Sequence, residues 1–287
     1  MVMRQQTGLR PILKNMAEFF AYARERYQIK LRREAGEPPP WTEDPVIMTY
    51  RFCHVFREDD KTTVWLRDNI RDPLKHDRKV IFATTAFRWF NRIEIGEEIK
   101  DLLLGEWDSG EARRRLLSFG GPYTTGAYMT RTPTGLDKLD GVLLLINSIK
   151  NLHEIWECPT MEKACAILQE DNFLMGTFLS YEIVCDLIYT DALRNVSDRM
   201  TWANVGPGAA RGIEWLFGCR VPEEHMVRIM REILMFSTQM DMFDKDLWPA
   251  EWPQWDMRTV EHTLCEYAKW KRGHAGQKLK RLYNVGA

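Results

Sequence analysis

Fifteen residues, Asp198-Arg-Met-Thr-Trp202-Ala-Asn204-Val-Gly206-Pro207-Gly208-Ala-Ala-Arg211-Gly212, gather a carboxylate, an indole, an amide and a guanidinium around a Gly-Pro-Gly turn. Glycine permits backbone conformations and close approaches that side chains forbid. At the start of a helix such a turn can offer main-chain N–H groups to an anion. It can equally be a rigid connector between two helices. Near the C-terminus Glu261 and His262 supply an adjacent carboxylate and imidazole, and an earlier stretch holds Arg51, His54, Arg57 and Asp60. Asp186 falls in an apolar helical stretch, where burial would raise its pKa or demand a partner.

These residues must be positioned by helices. Apolar residues recur at helical spacing over 11–33, with Pro11 in the first turn and Ile12, Met16, Phe19, Phe20, Ala23 and Tyr27 on one face. Arg24, Arg26, Lys30, Arg32 and Arg33 make a basic opposite face, and Gly36-Glu37-Pro38-Pro39-Pro40 stops the helix ahead of Trp41. Further helices are predicted from Asp44 through Tyr50 to Phe56 and from about Asp59 to Asn69, capped by Asp59 or Asp60. Others cover 79–91, 94–104, 136–150, 160–170, 177–190, 207–217, 223–237 and 256–271. Residues 119–133, rich in Gly, Thr and Tyr, read as a long ordered loop. Strand-like alternation is almost absent, and no repeat or linker stands out, so 1–287 reads as a single, mainly α domain ending in a basic tail at about 269–287.

Composition narrows the function classes. A net charge of −1 excludes a uniformly basic nucleic-acid coat but not a basic face balanced elsewhere. Eleven Trp and fourteen Met suit broad clefts as well as cores. The six cysteines are scattered without C-x-x-C pairs or metal-ligand spacing, which predicts free thiols in a reducing cytoplasm and assigns no metal ligand, with metal dependence left open. Arg4 and Arg10 without an apolar block predict no secretory leader. The longest apolar run, Val142–Ile146, falls far short of the roughly 20 residues that span a bilayer, so no membrane partner is expected. No P-loop, dinucleotide-binding glycine motif, H-E-x-x-H or G-x-S-x-G is present, and no cofactor is evident.

Residues 161–190 read as helix, a turn at Phe173-Leu174-Met175-Gly176, and a second helix. This resembles the helix-hairpin-helix of base-excision DNA glycosylases, in which a glycine turn presents main-chain amides to a DNA phosphate and an active-site aspartate follows. Here Gly176 would meet the phosphate, and Asp198 lies twenty-two residues further on.

Five blocks in order carry a wider resemblance: Tyr50-Arg51-Phe52-Cys53-His54-Val55-Phe56-Arg57-Glu58-Asp59-Asp60 with Thr63 and Trp65; Phe87-Arg88-Trp89-Phe90-Asn91; Thr125-Gly126-Ala127-Tyr128; Asp198–Gly212; and Val260-Glu261-His262-Thr263-Leu264-Cys265-Glu266-Tyr267-Ala268-Lys269-Trp270. Together they resemble the α-glutamyl/putrescinyl-thymine pyrophosphorylase family, the helical domain of 5-hydroxymethyl-deoxyuridine DNA kinase, over residues 15–283. The family's first block more usually reads Phe-Cys-Asn-Val-Arg-Arg-Glu-Asp-Asp, so His54 replaces an Asn and Phe56 an Arg. That puts a paired-Arg phosphate clamp in doubt, and His54 could alter substrate choice or pH dependence. In the last block Ala268 and Trp270 stand where an acidic residue and an aromatic are usual.

The resemblance implies hypermodification of thymidine in double-stranded phage DNA, in the cytoplasm of the infected or host cell. The base, flipped from the duplex, would carry a 5-(pyro)phosphomethyl group that an amine or amino acid replaces. Trp202, and more weakly Trp41, Trp65, Trp89 and Tyr128, could stack on the base; a Trp at helical spacing is otherwise core. Arg51, His54, Arg57, Asp60, Asn204, Gly206, Gly208 and Arg211 are the candidates for holding substrate and leaving group. Asp198, or Glu261 with His262, is the candidate general base. The plainer readings are a surface ion pair for Arg57 and Asp60, an exposed helix charge for Glu261 and a core imidazole for His262. Lys269, Lys271 and Arg272 would meet the DNA backbone. Two alternatives stay open: a DNA-gripping helical module whose P-loop kinase is another chain, and a glycosylase of modified bases.

Overall fold

The computed structural model describes residues 11–125, 131–239 and 247–283; Arg4, Arg10, and the Gly126, Ala127 and Tyr128 of the third sequence block lie outside them. The described residues are mainly helical, and their sole β-pairing is an isolated antiparallel bridge between Tyr50 and Leu282. In chain order the helices are α1 (Leu13–Glu34), α2 (Pro45–Thr49), α3 (Lys61–Leu66, running into a π-turn at Arg67–Arg71), α4 (Lys79–Phe90), α5 (Ile93–Leu104), α6 (Ser109–Phe119), α7 (Lys138–Asn147), α8 (Met161–Asp171), α9 (Thr177–Leu187), α10 (Pro207–Phe217), α11 (Glu223–Ser237) and α12 (Met257–His274). No helix among the described residues is long and apolar enough to cross a membrane.

Backbone contacts group the chain into two compact units, 1–60 with 205–287, and 61–204. The first is thus assembled from both ends of the sequence. Its core is α1 against α10 and α12. Met16, Phe19, Phe20, Ala23 and Tyr27 are buried as the helical spacing requires. The Phe19 and Tyr267 rings meet edge to face at 5.3 Å, and Phe20 meets Trp255 at 5.7 Å. Ile12 departs from the predicted apolar face. It is the N-cap, outside the helix, with its N–H bonded to the Leu216 carbonyl, and its side chain is exposed.

The helix predicted from Asp44 to Phe56 stops at Thr49. Asp44 caps α2 by accepting from the Val46 and Ile47 N–H groups, with Pro45 at the first position. Beyond Thr49 the backbone turns extended because a distant segment offers it partners: Arg51 donates to the Arg281 carbonyl at 3.1 Å, and Tyr283 donates to that of Thr49 at 2.9 Å. Helix α12 continues to His274, so Lys269, Lys271 and Arg272 stand on a helix rather than in a tail.

In the second unit α4 packs on α5, α7 and α9, and α8 pairs with α9. Asp186 finds its partner here: Arg88 forks onto it with Nε to Oδ2 at 2.7 Å and Nη2 to Oδ1 at 2.8 Å. Arg88 also donates to Asn91 Oδ1 and Thr63 Oγ1, which exhausts much of its donor set in a fully buried position. Helix α6, absent from the sequence prediction, is capped by Asp108 and ends at Gly120 with φ +83°.

Candidate functional site

In the first unit the glycine run and the last sequence block meet through α10 and α12. Gly206 is the N-cap of α10 and Pro207 its first residue. A methyl group at Gly208 would fall 2.2 Å from Cys265 Sγ, and one at Gly212 would fall 2.4 Å from the Leu264 carbonyl oxygen. These glycines therefore let two helix backbones touch. At Gly206 a methyl would still be 3.8 Å from Glu261 Oε1, so the turn opens beside that carboxylate. Glu261 is buried and held by Arg258 Nη1 at 2.7 Å. Gly208 and Gly212 thus carry a packing duty in addition to any role toward an anion.

One face of α12 turns toward the 50–60 segment. Cys53, Asp60 and His262 each bring a potential ligand atom within 4.8 Å of the other two; Cys53 is exposed, Asp60 and His262 half-buried. Glu266, one helical turn beyond His262, accepts from the Cys53 N–H at 2.9 Å. Arg26 of α1, itself buried, donates to the carbonyls of Phe52 at 3.3 Å and Cys53 at 3.2 Å. The His54 N–H donates to Asp60 Oδ1 at 3.1 Å. Lys269 binds the Arg51 carbonyl and pairs with Glu266 at 3.3 Å.

Burial dominates the electrostatics of this cluster. It lifts the Asp60 carboxyl to about 6, opposed by the His54 N–H and Arg57. It also opposes ionisation of Glu266, but Lys269, His262 and the Cys53 N–H outweigh it and hold that carboxyl below its ordinary value. His54 is pushed down to about 4 by burial and by Arg26, Arg33 and Lys30, which leaves the imidazole neutral at physiological pH. The Cys265 thiol is pushed up to about 12 by burial and Glu266.

Arg51 and Arg211 are exposed, and Arg57 is buried. Among the residues predicted to meet the DNA backbone, Lys269 is partnered as above and Lys271 pairs with Glu18 at 2.6 Å; Arg272 is half-buried. The basic face of α1 is likewise largely occupied within the unit. Arg26 is buried, Lys30 pairs with Glu34 and Asp59, and Arg33 lies over the Trp41 ring at 5.2 Å.

The remaining predicted residues belong to the second unit. Asp198 is buried and accepts from the Met161 N–H at 2.7 Å and the Glu162 N–H at 3.1 Å. Its carboxylate therefore caps α8, where the helix end favours negative charge. Any base role would have to share it with that cap. We expect Asp198→Ala to cost about 1–3 kcal/mol, the penalty of stranding two amides, measured by urea unfolding; an unchanged midpoint would contradict the capping assignment. Trp202 meets Tyr181 edge to face at 5.6 Å. With Asn204, Thr177, Gln169 and Glu162 it lines a cleft of ≈ 270 Å³. Gly176 is exposed as the N-cap of α9, which fits the predicted turn between the paired helices. Trp65 and Trp89 are core residues, Trp65 stacking on Phe87.

Cys53, Glu266 and Arg258 were not singled out as site residues from sequence, and Arg26 only as part of the basic face of the first helix. The i, i+4 spacing of His262 and Glu266 was the one local signal that could have found Glu266.

Comparison with known proteins agrees with the resemblance carried by the sequence blocks. Residues 14–279 match the family of the 5-hmdU DNA kinase helical domain. A curated relative, the 5-hmdU DNA kinase of Bacillus phage SP10, is 27% identical over 303 aligned residues, which cover 92% of this chain and 47% of the relative. The chain thus spans about half the length of that relative. No solved structure matches it. The chain belongs to the family of the helical domain of 5-hmdU DNA kinase.

Proposed function

We propose that the chain acts in the hypermodification of thymidine in phage DNA, replacing the phosphate of a flipped 5-(pyro)phosphomethyl-deoxyuridine with an amine or amino acid. The observation that carries this reading is the family match across 14–279. The amine nitrogen attacks the 5-methylene carbon and a C–N bond forms. The C–O bond to the phosphate breaks, its electron pair leaves with the phosphate, and a proton passes from nitrogen to a base. Glu261, anchored by Arg258 and lying beside the opening turn of α10, is the carboxylate proposed for that proton. Arg51 and Arg211, both exposed, are the guanidiniums proposed to meet the phosphate oxygens. His262 points to Cys53 and Asp60 instead, as neighbouring residues on a helix must diverge.

A second reading rests on a specific observation: the chain matches about half of a relative named a kinase, and it has no phosphate-binding P-loop. In that reading it is the DNA-gripping helical module of a kinase system whose P-loop lies outside these 287 residues. Release of phosphate or pyrophosphate from DNA carrying the 5-(pyro)phosphomethyl base separates the two. The transferase reading expects amine-dependent release that falls by about 10²–10⁴-fold in Glu261→Gln. Tight binding to this DNA without release would support the module.

A further inference from the structure

We propose that Cys53, Asp60 and His262 bind one divalent transition-metal ion of the zinc class. The three come from separate stretches: the extended segment after α2, the residue following the short turn at Arg57–Asp59, and the second turn of α12. Their ligand atoms lie within 4.8 Å of one another. Tetrahedral zinc with bonds of about 2.0–2.3 Å sets ligand atoms roughly 3.3–3.8 Å apart. Closing on the ion therefore takes a movement of about 1 Å, within reach of side-chain rotation.

The donor set selects the ion. Thiolate sulfur and imidazole nitrogen favour zinc or a similar metal, whereas magnesium and calcium take oxygen cages. One thiolate and one carboxylate also balance the charge of a divalent cation. The surroundings orient the ligands in the manner of a metal site's outer shell. Glu266 holds the Cys53 N–H, Arg26 holds the Cys53 carbonyl, and the His54 N–H holds the Asp60 carboxylate. The competing use of these residues is a Cys-His-Asp nucleophile. A reactive thiolate needs cations around it, yet here Asp60 stands beside the sulfur and Lys269 is already paired with Glu266. Three protein ligands leave a fourth position open. That position suits a phosphate oxygen of the substrate proposed above; metal binding itself does not rest on that reading.

The test uses the full chain, stripped with a chelator under reducing conditions and titrated with Co²⁺ alone. The expected result is one equivalent bound, with a thiolate-to-cobalt charge-transfer band that Zn²⁺ abolishes. Cys53→Ser and His262→Asn lose the band and weaken binding beyond the about 10–100-fold typical of outer-shell changes, while Cys219→Ser keeps both. In parallel, iodoacetamide labelling mapped by peptide mass spectrometry should show Zn²⁺ protecting Cys53 and leaving exposed Cys219 reactive. This arm needs no variant, so it decides the matter even where a substitution unfolds the protein. Absence of stoichiometric binding by the wild-type chain, unchanged Cys53 labelling, or a band retained in Cys53→Ser would overturn the site. None of these readouts measures transferase activity, so failure here is separable from failure of the proposed function.

Discussion

Arg88→Ala is expected to destabilise the protein by about 3–5 kcal/mol, the range for removing one partner of a buried ion pair. Arg88 is 1% exposed and Asp186 0%. Removing the guanidinium takes the two-pronged partner from the buried Asp186 carboxylate and leaves Asn91 Oδ1 and Thr63 Oγ1 without that donor, in a place that water does not reach. An apolar double replacement of similar volume, Arg88→Met with Asp186→Leu, should recover the part of the loss that comes from the uncompensated charge, while Asn91 and Thr63 stay without that donor. Equilibrium urea unfolding checks both expectations. A single-variant cost below about 1 kcal/mol, the level of an exposed pair, would contradict this account of the second unit's core.

Gly212→Ala should cost about 1–3 kcal/mol or more, because its methyl would lie 2.4 Å from a backbone oxygen and 2.9 Å from the Leu264 carbonyl carbon. Neither atom can swing aside, so α10 and α12 must separate. Gly208→Ala presses chiefly on Cys265 Sγ, a side-chain atom that can rotate or be removed. The two variants should differ in how they are rescued. Cys265→Ala restores much of the Gly208→Ala loss and does nothing for Gly212→Ala. At about 2–4 °C per kcal/mol for a chain of this order, the shifts are well within thermal melting. Equal rescue of both variants would show that the helices do not meet through backbone at Gly212.

Much of the helical framework was legible because apolar residues recur at helical spacing. Helices α10 and α11 begin and end where the pattern places them, 207–217 and 223–237. The failures have local causes. Only Ala112 and Leu116 of α6 are buried, so it carried almost no apolar stripe to read. The stretch from Tyr50 to Phe56 has helix-compatible residues, but its backbone partners are Arg281 and the 282–283 segment, which no local pattern reveals.

The candidate site divides in the same way. Gly206 and Glu261 were each singled out, in two separate blocks, but only the structure sets them side by side. The gathering of Cys53, Asp60 and His262 was not legible, because the Glu266 that anchors Cys53 lies 213 residues away in sequence. Asp198 looked free to act as a base because its partners, the amides opening α8, stand 36 and 37 residues upstream.

Mass spectrometry of nucleosides tests the central claim most directly. DNA containing 5-phosphomethyl- or 5-pyrophosphomethyl-deoxyuridine is incubated with the chain and a mixture of amino acids and polyamines, then digested. The account predicts a nucleoside whose mass corresponds to loss of the (pyro)phosphate and gain of one amine, absent with Glu261→Gln. Unchanged nucleosides from DNA that the chain binds tightly would contradict the transferase claim and favour the helical module of a separate kinase. Abasic sites would contradict it in favour of a glycosylase.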